Sequence, residues 1–436
     1  MFRLLKTGIG YSFMLRLWGV VAGLVMVAII VTTQSKEFQG VYYTLLGLLI
    51  VQQFADGGFT AVFLQFLSHE WHRIAIVPGR QTVDTSVAVE RYASLVRYAL
   101  SYYPKISFGY FAVITPLGFL LVSSVDMGVV SWRAEWLFLS VFSAFSIVNA
   151  ALNCLMQGSG RIRESQRNQL LATVPASVAG WAALLFGMEL WSLVLLFGLR
   201  TLLNFGLAII GTRPIWLLIR ESPKIIIEWK QEFLPQQRRI FTSFLAGFFS
   251  FQSFVPVIFY VSGPEAAGQV GVTLQSYQAV ERVASAWLVT AQVRFGELAS
   301  VLQIRELQDL VSKTIMRSTI TATVAVLIGG FLVGGINIFF PDVGERFLEY
   351  RYFVLFVATA VPLQYVNVTT SAVRFFKVDP FMKVAIFFAA LVFATTFGVA
   401  KLFGPEFVSV SFFLSVSFVL VPVVCRLYNL HVEYYR

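Results

Sequence analysis

The chain has 436 residues, 57% of them hydrophobic and 13% charged, with a mean hydropathy of +0.75. A soluble domain carries about 25% charged residues, so this composition excludes a large globular enzyme and indicates a polytopic membrane protein. The net charge of +10 does not point to nucleic acid, because what matters here is where the cations lie along the chain.

About twelve spans follow from the rule of roughly twenty apolar residues per crossing. Their expected limits are 9–32, 41–67, 101–124, 134–156, 168–187, 190–210, 239–262, 268–294, 315–340, 352–376, 382–402 and 405–427. The first run contains Arg16 and has no small-residue cleavage pattern, so it reads as a span and not as a removable signal. Cys154 and Cys425 both fall in apolar segments, and no disulfide framework is readable.

With the N-terminus in the cytoplasm, about 25 of the 33 Lys and Arg face inward and about 5 outward, which sets both termini inside by the positive-inside rule. Arg16, Arg200 and Arg282 remain within spans. The outside loops, Thr33–Gly40, Ser124–Arg133, Gly263–Ala267 and Pro341–Arg351, are too short to build the site of a membrane glycosyltransferase, polymerase or ligase. Inside, His69–Tyr103 is a mixed-charge loop. Pro214–Arg239 mixes Trp216, Ile219, Ile225, Ile226, Ile227 and Trp229 with basic residues, as an amphipathic connector on the leaflet does. The expected division is a six-helix lobe at 1–212, the connector at 213–238 and a second six-helix lobe at 239–436.

Polar stripes mark certain spans. In the eighth, Gln275, Gln278, Arg282, Ser285 and Gln292 recur at steps of three, four, three and seven, which share one helical face. A guanidinium turned to lipid costs several kcal/mol, so this face must meet protein or water. Gln52, Asp56 and Thr60 stripe the second span, Ser146, Asn149, Asn153 and Gln157 the fourth, and Gln364, Asn367, Ser371 and Arg374 the tenth. The wet helices thus recur in both halves. So does an acidic-x-x-Gly elbow, Glu37–Gly40 and Glu265–Gly268, which suggests a parallel duplication.

Together these features resemble the multidrug/oligosaccharidyl-lipid/polysaccharide exporter superfamily, specifically its branch of lipid-linked oligosaccharide flippases. The carriers are Glu37-Phe38-Gln39-Gly40-Val41-Tyr42, Asp56-Gly57-Gly58, Gly158-Ser159-Gly160-Arg161 and Gly263-Pro264-Glu265-Ala266-Ala267-Gly268. The resemblance covers essentially the whole chain. It implies an all-α fold of two six-helix lobes in a MATE-like V, with a cavity between helices 1, 2, 7 and 8. It further implies alternating access that carries an undecaprenyl-pyrophosphate-linked sugar unit across the inner membrane. Expected partners are that lipid-linked substrate, membrane lipids, a coupling proton or sodium ion, and a polysaccharide polymerase with its chain-length regulator. No cofactor and no catalytic residue is expected.

For such a substrate, arginine suits the diphosphate, because its planar fork binds phosphate bidentately and stays protonated. Arg282 lies about fourteen residues into its span, roughly 20 Å at 1.5 Å per residue. Arg16 either snorkels to headgroups or receives the diphosphate, and Arg200 either contacts substrate or anchors its helix. Asp56 and Glu281 are the candidates for ion coupling. Gln52, Asn149, Asn153, Gln275, Gln278, Gln364 and Asn367 either meet sugar hydroxyls or hold helices together. A multidrug antiporter of the same fold would favour acidic cavity residues, and the intramembrane arginines weigh against it. His69-Glu70-Trp71-His72 lacks the spacing of a zinc helix, Asn367-Val368-Thr369 lies inside a span, and Gly158-Ser159-Gly160 lacks the lysine of a phosphate loop.

Overall fold

The computed structural model describes residues 8–55, 57–75, 83–123, 131–221, 237, 241–242, 245–300, 303–374 and 380–434. Among them every regular element is helical, and nine helical stretches are long and apolar enough to cross a membrane.

Helix α1 (Gly8–Thr33) is mostly apolar, with Arg16 in its first half. It gives way to α2 (Lys36–Leu49) at Ser35, whose hydroxyl accepts the Phe38 amide at 3.1 Å and so caps α2. After a short turn come α3 (Gln52–Ala55) and α4 (Phe59–Ala75). The expected second span is therefore a broken helix, and at the break Gly57 and Gly58 take φ of 59° and 77°, open to glycine at little cost.

Then follow α5 (Val83–Ser123), α6 (Arg133–Gly158), α7 (Ile162–Leu185) and α8 (Trp191–Glu221). The mixed-charge stretch after the second span is helix over much of its length, since α4 runs to Ala75 and α5 begins at Val83. Residues 213–221 of the expected connector likewise continue α8 through Pro214; the rest of it, apart from Gln237, lies outside the described residues.

The expected seventh and eighth spans form one helical stretch, Leu245–Gln292, which contains α9 (Phe254–Ala284) and runs into α10 (Ala286–Ser300). Its only non-helical residue inside α9 is Gly263, at φ 86° and ψ −179°. Pro264, pre-set for a first helical turn, follows at once. The outside loop expected at Gly263–Ala267 thus shrinks to a single turning residue. Next come α11 (Ile304–Phe339), α12 (Pro341–Gly344), α13 (Tyr350–Ala358), α14 (Ala360–Arg374) and α15 (Met382–Leu402). A 3-10 turn (Pro405–Phe407), α16 (Val408–Leu414), a π turn (Ser415–Leu420) and α17 (Val421–Tyr434) complete the chain.

Nine stretches against about twelve expected is a difference with three causes: the glycine break after α3, the merging at Gly263, and the less apolar composition of α7.

The burial pattern is that of helices in hydrocarbon. On α11, Thr314, Ser318, Ala322, Val326, Gly330 and Val333 are buried, a stripe of small residues that lets neighbouring backbones approach. The opposite face bears Ile320, Val324, Leu327, Phe331 and Ile338, all exposed. In water such a patch would be an aggregation hazard; in a bilayer it is the ordinary outer surface.

By packing, the chain forms two compact units. One gathers Met1–Ala22, Leu48–Ser124 and Gly128–Phe244; the other gathers Gly23–Gly47, Val125–Met127 and Leu245–Arg436. In the first, Phe59 meets Phe63, Tyr102 and Tyr103 with ring centroids 5.7, 4.3 and 5.4 Å away. In the second, Phe254, Tyr277 and Phe356 surround Phe412 at 4.8–6.1 Å. Stacked, tilted and edge-to-face ring contacts of this kind add about 0.5–1.5 kcal/mol each beyond burial.

Candidate functional site

In the second unit the polar stripe of α9 lies between a buried side and an exposed apolar side. The buried side faces α14, where Asn367 Nδ2 reaches Glu281 Oε1 at 3.5 Å; further along, Gln292 Nε2 reaches Ser371 Oγ at 3.4 Å. Two stripes read separately from the sequence therefore meet each other. The exposed apolar side carries Val283 and Trp287; the indole donates to Thr321 Oγ1 at 2.9 Å and lies under the Arg317 guanidinium at 5.5 Å.

Between those sides run Gln275, Gln278 and Arg282. Arg282 is exposed, and its Nη2 stands 3.4 Å from Gln278 Oε1, the long limit of a hydrogen bond. Gln278 in turn donates to Gln252 Oε1 at 3.3 Å. Gln275 Oε1 lies 4.0 Å from the position a Cβ on Gly23 would take, so this residue adjoins α1. The helix breaks at Ser285, one turn beyond Arg282. The result is a line of neutral amides ending in a guanidinium that makes a long contact with one of them and has the Glu281 carboxylate as its sequence neighbour. Gln364, by contrast, is fully buried and donates to Ala360 O at 3.1 Å within its own helix.

The first unit holds a separate polar group beside the broken helix. Gln52 Oε1 accepts the hydroxyls of Ser143 and, at 2.8 Å, Ser146; Tyr110 pairs with Ser143 at 2.9 Å. Thr60 and Tyr103 join hydroxyls at 2.9 Å. Asp56 lies outside the described residues. Asn149 and Asn153 are buried: Asn149 donates to Thr201 O at 2.9 Å, while Asn153 donates to Asn149 O at 2.9 Å and accepts from Ser165 at 3.1 Å. These amides tie α6 to α8 and α7. Arg16 is exposed on α1, two residues before Trp18, whose indole donates to Ser177 Oγ at 3.3 Å. Arg200 is exposed on α8.

Sequence reasoning missed a third group, also in the second unit, where the two elbows touch. Lys36 Nζ bridges Glu345 at 2.7 Å and Glu265 at 3.2 Å. Arg346 Nη2 donates to Gln34 O at 2.6 Å, Gln39 Nε2 to Arg346 O at 2.9 Å, and Gln269 Nε2 to Glu345 O at 2.9 Å. The hydrogen bond from Lys36 holds the Glu345 carboxyl below its ordinary value, and the same bond raises the lysine. Beneath these ion pairs the backbones close in. A Cβ on Gly40 would lie 1.8 Å from Pro264 O, one on Gly268 would lie 2.9 Å from Gly40 N, and one on Gly271 would lie 2.5 Å from Tyr43 Cβ. The glycines of the elbow pattern were the signal for this approach.

With this geometry in hand, the chain can be set beside known structures. A multidrug-resistance transporter of the MATE family, inward-facing, superposes with a TM-score of 0.63 over 95% of this chain and 98% of its own, at 12% identity. The fold is that of the MATE transporters and of MurJ. The lipid II flippase MurJ, in an inward closed conformation, gives 0.60 over 95% of this chain and 86% of that one, at 9% identity. A transporter of the MOP superfamily from Pyrococcus furiosus, described as having a binding pocket of reversed polarity, gives 0.51 over 99% and 95%, at 11% identity. No protein-family model matches the chain, and no curated protein matches it by sequence. The neighbours are transporters and flippases of the MOP superfamily, and the all-α MATE-like fold expected from the sequence is the fold observed.

Proposed function

We propose that the chain is a membrane transporter that flips a lipid-linked oligosaccharide carrying an undecaprenyl-pyrophosphate-type diphosphate across the inner membrane for surface polysaccharide assembly. The observation that carries this reading is Arg282, an exposed guanidinium within a spanning helix at the end of a line of amides. A cation so placed needs an anion or water, and a diphosphate offers bidentate oxygens to its fork. Gln275 and Gln278 present hydrogen-bonding groups for sugar hydroxyls alongside. Arg16 and Arg200 are further candidates for the diphosphate, and Asp56 for ion coupling. The lipid tail stays in the bilayer, which the apolar side of the same helix borders.

In this scheme 1–212 and 239–436 act as the two lobes, with both termini cytoplasmic by the charge count. The elbow group then falls on the outer side, where it fastens the start of α2 to α9 and to the turn after α12 within the second unit. A polymerase and its chain-length regulator would receive the product.

The test is reconstitution in vesicles with a fluorescent polyprenyl-diphosphate oligosaccharide, flipping being read as accessibility to a membrane-impermeant quencher. Arg282→Ala is expected to abolish flipping with the protein still in the membrane, and Arg282→Lys to recover it in part, since the charge returns without the fork. Undiminished flipping by Arg282→Ala removes the residue from the site. An ion-coupled multidrug antiporter is the second reading, favoured by Glu281 beside Asn367; proton-driven accumulation of a cationic dye, lost in Glu281→Gln, would support it.

A further inference from the structure

The last two long helices frame a groove that the transport reading does not use. Pro422 sits just inside α17, where it can neither donate to the carbonyl four residues back nor avoid crowding it. The helix accommodates this with a π turn over Ser415–Leu420, and Val421 N donates to Val416 O, five residues back. The extra residue displaces the side chains of that turn. Beside that turn, against α15, lies a cavity of about 210 Å³ lined by Lys383, Val384, Phe387, Phe388, Val419, Leu420 and Val423. Phe387 is 61% exposed and Val423 38%, so the groove opens onto the outer apolar surface of the helices.

Its charge is one-sided. Lys383 precedes Phe387 by one turn of α15, and Arg426 follows Val423 by three residues on α17, which keeps it on the same face. The two helices run in opposite directions, and the charge asymmetry of the sequence puts both of these ends in the cytoplasm. Both side chains are exposed. An apolar channel at hydrocarbon depth capped by two cations at the membrane surface is complementary to one kind of molecule, an acyl chain bearing an anionic head.

We infer that this groove binds an anionic glycerophospholipid of the cytoplasmic leaflet, one acyl chain lying along Phe387, Val419 and Val423 and the phosphate meeting Lys383 and Arg426. The site is independent of the proposed substrate and of Arg282.

The full chain, purified in detergent, is titrated with phosphatidylglycerol or with phosphatidylcholine of the same acyl chains, and bound lipid is counted by native mass spectrometry. Phosphatidylglycerol is expected to bind preferentially. Lys383→Gln and Arg426→Gln are each expected to weaken it about fivefold, leaving phosphatidylcholine unchanged. Lys401→Gln, at the far end of α15, is the control and should change nothing. Val419→Trp, which fills the groove, should lower occupancy by both lipids. Equal binding of the two lipids, or undiminished phosphatidylglycerol binding in the Lys383→Gln, Arg426→Gln double variant, overturns the inference. A dimer that disappears in Val419→Trp also overturns it, by assigning the groove to a second copy. The charge variants lie on the surface, so the test stands even if Val419→Trp fails to fold.

Discussion

Gly40→Ala tests the elbow contact most directly. The added methyl would stand 1.8 Å from Pro264 O, 2.4 Å from Pro264 C and 2.8 Å from Pro264 Cα, all backbone atoms that no rotamer change can move aside. Restoring an ordinary contact of about 3.4 Å requires the two helices to part by roughly 1.6 Å, and overpacking of this kind costs about 1–3 kcal/mol or more. The same displacement would lengthen the 3.2 Å contact between Lys36 and Glu265 toward the limit of an ion pair. Two readouts follow. Thermal unfolding in detergent should begin several degrees lower, and a disulfide engineered between Lys36→Cys and Glu265→Cys should form more slowly than on the Gly40 background. Gly109→Ala is the internal control: its Cβ meets nothing within 4 Å, and alanine is the better helix former by about 1 kcal/mol, so stability should hold or rise. If Gly40→Ala and Gly109→Ala unfold alike and cross-link alike, the close approach of the elbows is refuted.

Because the Glu345 carboxyl is held below its ordinary value, its contribution to the elbow contact is present at neutral pH and is lost as pH falls through the lowered value. The raised Lys36 contributes up to its own raised value and fails only in strong alkali, so spin labels across the elbows should report loosening at both extremes and closure between them. Both ends of the pair are solvent-accessible, and high salt should weaken it. Gln364→Leu removes a buried amide whose oxygen has no hydrogen-bond partner among the described residues; unfolding temperature should hold or rise and flipping should persist, whereas lost flipping at unchanged stability would make Gln364 a substrate contact.

The apolar runs stand close to their expected limits in α1, α6 and α15, because some twenty predominantly apolar residues in a bilayer leave the backbone few alternatives to a helix. The stripes of α9 and α14 were legible as periodicity; that Gln292 meets Ser371 and Glu281 meets Asn367 was not. Periodicity could not say which polar residues face a neighbouring helix. Asn149, Asn153 and Gln364 share the spacing of Gln278 and Arg282, yet they are buried in contacts with backbone or neighbouring side chains. That distinction depends on which helix packs alongside, and a single sequence does not contain it. The ion pairs of Lys36 were equally hidden, since Glu265 and Glu345 come from distant segments. The charged ends of α4 and α5 look like loop in the sequence because hydropathy marks where a membrane stops and not where a helix does.

Where two spans were expected with an outside loop between them, the chain has only a kink at Gly263, and this bears on how it is made. With a single residue between the two arms, there is no tether long enough for the first arm to settle across the bilayer before the second arrives. Both must enter together as a hairpin during synthesis. The orientation of the entire latter half is therefore decided in one step, and a few glycines inserted beside Pro264 should be enough to produce molecules threaded the wrong way round.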